Sequence, residues 1–141
     1  METPNHKYTA NDYDRLFRDL GFPEGYDMFR GIEDISTWPP PHPSVPTHCF
    51  YSTGVPTPEI FKYSEDFPEI SEPVAEAGEE GDGQVSREGG EVCLRWAEGD
   101  AGRGYPSQAH HYRGIHHVDL FQDDGVLEAI GDIVNPKNKV Y

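Results

Sequence analysis

The chain is 141 residues long and 35% hydrophobic, with 26 acidic against 11 basic side chains and a formal net charge of −15. That length admits one domain at most, and an apolar fraction below the usual ~45–50% admits only a thin core. So negative a surface repels phosphate backbones and anionic bilayers, which sets nucleic acid aside as a partner and electrostatic membrane attachment aside as a function; no apolar run is long enough to span a membrane.

The residues after Met1 lack the basic start and apolar run of a secretory signal peptide. Thr9-Ala10-Asn11-Asp12 reads as a capping box, with Thr9 as N-cap and Asp12 three residues on. Tyr13, Leu16, Phe17 and Leu20 then recur at helical spacing and form one apolar face that needs a covering partner. Gly21 is a natural helix stop. Residues 38–46 hold five prolines, which fits an extended connector and neither a helix nor a central strand. A ligand for a proline-binding module is a second use for such a segment, though a plain connection explains it as well.

Thr47 to Tyr51 is a short β-type run that ends at Ser52-Thr53-Gly54. Pro56 and Pro58 then predict a loop, with a further strand over Ile60 to Tyr63. Residues 64–91 read as an acidic loop region, since Glu65 to Glu91 carries ten acids and one base, Arg87. Val92 to Trp96 is apolar and short, and its pattern fits a strand or a helix. Residues 97–108 read as irregular. His110 to Tyr112 predicts a strand, and Asp123 or Asp124 caps a last helix whose face is Val126, Leu127, Ile130, Ile133 and Val134. With 15 Gly and 13 Pro, about a fifth of the chain, turns outnumber long elements. Few strands and one-faced helices do not complete a sheet with its layers.

Chemistry concentrates in two turns. Gly81-Asp82-Gly83-Gln84-Val85 sets a carboxylate between glycines, and Gly114-Ile115-His116-His117-Val118 sets an imidazole on a second turn. Asp followed by His is the order of the last part of a Ser–Asp–His hydrolase of the α/β type, yet no G-x-S-x-G occurs in the chain. Taken alone, Gly-Asp-Gly is an ordinary turn and His117 an ordinary packed or exposed histidine. The spacing of His110, His111, His116 and His117 matches neither a helical pair one turn apart nor a zinc-finger pair, so no metal is expected. Cys49 and Cys93 could form one disulfide or stand as two buried thiols.

Five stretches in order resemble the C-terminal third of the lecithin:cholesterol acyltransferase family, with most similarity to its lysosomal phospholipase A2 (group XV) branch. They are Tyr8-Thr9-Ala10-Asn11-Asp12-Tyr13 with Phe17-Arg18-Asp19-Leu20-Gly21-Phe22; His48-Cys49-Phe50-Tyr51-Ser52-Thr53-Gly54-Val55-Pro56-Thr57-Pro58; Gly81 to Val85; Cys93-Leu94-Arg95-Trp96; and Gly114 to Val118. The resemblance covers roughly residues 8–134. It implies part of an α/β-hydrolase fold, with Asp82 and His117 as triad members and Cys49–Cys93 as a disulfide. Such enzymes take an acyl group from a phospholipid and pass it to water or a lipid alcohol, with no cofactor. The resemblance also implies a lysosomal or secreted location. Ser52 stands where the family usually has Gly, and Gln84 where it usually has Thr. The expectation is a C-terminal segment of a lipid acyl hydrolase or acyltransferase, inactive without its serine. The rival expectation is a truncated, non-catalytic paralogue that binds a partner.

Overall fold

The computed structural model describes residues 1–35, 38–69, 71–99 and 104–135. The chain divides into two compact units, Met1–His42 with Pro58–Gly78, and Pro43–Thr57 with Glu79–Tyr141.

In the first unit the capping box forms as the sequence dictates. The Asp12 carboxylate accepts the Thr9 N–H at 2.9 Å, and the Thr9 hydroxyl accepts the Asn11 N–H. Helix α1 (Tyr13–Asp19) follows, and Gly21 ends it at φ +72°. The covering partner is a second helix, α2 (Glu24–Arg30), which the sequence reading missed. Gly25 of α2 lies against the Phe17 and Phe22 rings, where a Cβ would collide. Tyr8 and Leu16 are buried. Burial and the Asp19 carboxylate, 2.7 Å from its hydroxyl, push the Tyr8 phenol up to about 12.

The second unit is built on two parallel strands, β1 (Thr47–Thr53) and β4 (Ser107–Arg113), in register from Thr47↔Ser107 to Thr53↔Arg113. β2 (Val55–Lys62) and β3 (Val74–Gly81) pair in a second two-stranded sheet, and the chain passes from one unit to the other within each of them. Strand β2 corrects the expected proline loop. Val55 and Thr57 are buried while Pro56 and Pro58 face solvent. Prolines two apart lose their donors on the same edge of a strand, and among the described residues β2 is hydrogen-bonded to β3, with the bridge from Glu2 lying at Lys62, beyond both prolines.

The acidic stretch 64–91 likewise holds structure: β3, and a short helix α3 (Arg87–Gly90). In β3 Glu76 and Glu80 are exposed, with Glu76 paired to Lys62 at 2.8 Å. The undecided run after it is helix α4 (Val92–Gly99). Cys93 of α4 is fully buried and joined to Cys49 of β1 by a disulfide, with Cα atoms 6.1 Å apart. Within the stretch read as irregular, α4 runs on to Gly99 and β4 begins at Ser107, and residues 100–103 lie outside the described residues. Asp123, not Asp124, caps α5 (Asp124–Val134), its carboxylate accepting the Val126 N–H at 3.0 Å. The mixed α/β arrangement agrees with part of an α/β-hydrolase fold. Among the described residues no helix is long and apolar enough to cross a membrane.

Candidate active site

Asp82 follows the last residue of β3 and bridges to Val55 at the start of β2. Its chain then folds back at once, with the Asp82 N–H donating to the Val85 carbonyl at 3.2 Å. The two flanking glycines serve different ends. Gly83 takes φ +95°, which an L side chain rarely adopts. Gly81 is needed for space, because a Cβ there would collide with the Val85 carbonyl oxygen and the Thr57 hydroxyl. Of the two, only Gly83 is among the positive-φ residues.

Asp82 is 5% exposed, and its carboxylate oxygens divide their work. Oδ1 accepts the Gln84 N–H at 3.0 Å and the Val85 N–H at 2.8 Å. Oδ2 faces His117 Nδ1 at 2.8 Å. Burial works to raise the Asp82 pKa, but the Val85 amide, the His117 ring and the Gln84 amide together hold it below the usual carboxylate value. An ionised carboxylate only accepts hydrogen bonds, so the proton of this contact belongs to Nδ1. That fixes the tautomer and leaves the Nε2 lone pair for chemistry.

His117 is delivered by the turn after β4. Gly114 takes φ +77°, and its N–H donates to the Thr53 carbonyl at 2.7 Å. The Ile115 N–H donates to the Ser52 hydroxyl at 3.1 Å, and the His117 N–H to the Asp82 carbonyl at 2.8 Å. The two residues, 35 positions apart in sequence, are thus joined through ring and backbone together. They border a cavity of about 260 Å³ with an apolar wall from Phe50, Leu120, Phe121, Val126 and Ile130.

Four residues beside the pair have no assigned role in the sequence. The Thr57 hydroxyl accepts the Gly83 N–H at 2.9 Å and donates to the Val55 carbonyl at 3.0 Å. The Ser52 hydroxyl is the acceptor for the Ile115 N–H of the His turn. Gln84 reaches Asp82 through its backbone N–H, and the residue is exposed. His116 is exposed, its Nδ1 3.3 Å from where a Cβ on Gly83 would sit. Three further histidines are engaged elsewhere: His48 Nδ1 meets His110 Nε2 at 3.0 Å across β1 and β4, and His111 Nε2 meets the Thr53 hydroxyl at 2.7 Å.

The family model described as lecithin:cholesterol acyltransferase matches residues 27–124. The chain is similar to phosphatidylcholine-sterol acyltransferase of Rattus norvegicus, 35% identical over 137 residues, or 95% of the chain and 29% of the relative. The Gallus gallus protein of the same name is 34% identical over 120 residues, 85% of the chain and 28% of the relative. The Homo sapiens protein is 33% identical over 137 residues, 95% of the chain and 29% of the relative. The chain therefore spans less than a third of the length of these relatives.

Proposed function

Because the chain belongs to the lecithin:cholesterol acyltransferase family, we propose that it carries the base side of a lipid acyl-transfer triad. Asp82 and His117 are its members, and the nucleophilic serine comes from a segment not among these 141 residues. The observation that carries the reading is the 2.8 Å contact between buried Asp82 Oδ2 and His117 Nδ1. In the proposed reaction His117 Nε2 removes the serine proton as the serine oxygen attacks the ester carbonyl of a phospholipid. Asp82 stabilises the imidazolium that forms. The imidazolium returns the proton to the departing alcohol, leaving an acyl-enzyme. Water or a lipid alcohol then takes the acyl group by the same steps in reverse order. The apolar wall beside His117 suits an acyl chain.

Residues 8–134 are then the last part of an α/β-hydrolase domain. The Cys49–Cys93 bridge supports an oxidising location, secreted or lysosomal.

The test is acyl release from phosphatidylcholine vesicles by an enzyme containing this chain together with its serine-bearing segment. Asp82→Asn should lower kcat by about 10³–10⁴-fold, as loss of a triad aspartate does by changing the histidine tautomer. Activity within tenfold of the parent would overturn the assignment. The 141-residue chain alone should release no acyl chain, and release above background would place the nucleophile inside it.

A further inference from the structure

We propose that Thr57 is the positioning residue of the Asp82 turn, holding the carboxylate in line with His117 through the Gly83 amide. The proposal rests on the triad reading of Asp82 and His117. Thr57 is 2% exposed. A hydroxyl buried so deeply is costly unless both its donor and its acceptor capacity are used. Here the Val55 carbonyl takes the proton at 3.0 Å, which fixes the rotation of the hydroxyl and aims its lone pairs. The Gly83 N–H, one residue beyond Asp82, then docks on the oxygen at 2.9 Å. One residue before Asp82, Gly81 lies so near the same oxygen that no side chain fits between them. A single hydroxyl therefore constrains the backbone on both sides of the carboxylate.

The hydroxyl is itself held still. Pro56 and Pro58 flank Thr57, lock their own φ, and confine Thr57 to extended backbone. Their rings face solvent. Val-Pro-Thr-Pro in this chain is thus a stiff arm with one inward polar atom. The Asp82 turn is short and polar, and its Oδ1 contacts are internal to the turn. Those contacts shape the turn without fixing where it sits. Beside the Val55 bridge and the His117 N–H on the Asp82 carbonyl, the Thr57 hydrogen bond is the side-chain contact that anchors the residue after Asp82.

The test uses the 141-residue chain with Thr57→Val, Thr57→Ala and Thr57→Ser. Two signals are read by NMR: amide hydrogen exchange at Gly83, and the ring 15N shifts of His117, with Asp82→Asn as reference. Both hydroxyl-deleting variants should speed Gly83 exchange about three- to tenfold, the worth of one hydrogen bond. They should also move the His117 ring nitrogens toward the Asp82→Asn pattern. Thr57→Ser should restore both signals, since it keeps the hydroxyl and loses only the methyl. If Thr57→Ser behaves like Thr57→Val, the residue acts by packing and the proposal fails. It fails too if exchange rises equally at Phe50 and His110 on the β1–β4 pair, with no excess at Gly83. If His117 in the parent is insensitive to Asp82→Asn, the triad reading falls and takes this proposal with it.

Discussion

The Asp82 turn and helix α5 belong to the same unit but differ in how far the chain satisfies them. At Asp82 both carboxylate oxygens and the surrounding N–H groups find partners within a few residues of β2, β3 and the His turn. Along α5 the apolar face predicted from periodicity forms as expected, yet of its members only Val126 is buried at 2%, while Val134 is 74% exposed. Hydrogen bonds are short-ranged and directional, so a handful of residues can complete them. A hydrophobic face needs area, and area comes from a whole layer. The acid–base pair is therefore completed by a few directional contacts, whereas the apolar face of the helix beside it is left largely exposed.

The sharpest way to break this contrast is to cut the covalent tie beneath it. The Cys49–Cys93 bridge spans 44 positions, and its loss as Cys93→Ser should lower unfolding stability by about 3–4 kcal/mol in urea titrations. Next, Val126→Ala should cost about 2 kcal/mol, against under about 0.5 kcal/mol for Val134→Ala. Equal costs would mean that the α5 face is covered along its length. Ser52→Ala should cost about 1 kcal/mol by stripping the Ile115 amide of its acceptor. The effect should appear as faster exchange at that amide. The smallest effect concerns pH. Asp82 is held below its usual value of 3.8, so its stabilisation is complete above that value. It is lost as pH falls through the lower folded-state pKa. Urea midpoints measured from pH 5 down to pH 3 should fall less steeply in Asp82→Asn than in the parent.

Much of the site was legible in the sequence because its signals are local. The Thr9 cap, the Gly21 stop, the Asp123 cap and the glycines at 83 and 114 each announce a backbone requirement at their own position. Asp82 and His117 were found by motif order and resemblance, and the fold brings them together. What stayed hidden depends on neighbours distant in sequence. Helix α2 has few helix-favouring cues, and Gly25 within it makes sense only once Phe17 and Phe22 pack against it. The prolines of β2 read as strand breakers because nothing local says that, among the described residues, the strand is paired in a two-stranded sheet. The acids of β3 masked a strand because a run of like charge reads as a solvated loop, and Glu76 and Glu80 are indeed exposed on it. Thr57 and Ser52 carried no signal of their own, since a lone hydroxyl acquires meaning from the amide that reaches it.

The parallel pairing of β1 with β4 also sets an order of events in time. His48 and His110 meet across it from 62 positions apart. Closing so long a loop spends chain entropy before any contact repays it. The Asp82 turn, with bonds two and three residues long, can form early on its own. His117 can reach it only after β4 has found β1. During refolding the Gln84 and Val85 amides should thus gain protection ahead of the His117 amide, and the acid–base pair should be among the last features the chain assembles.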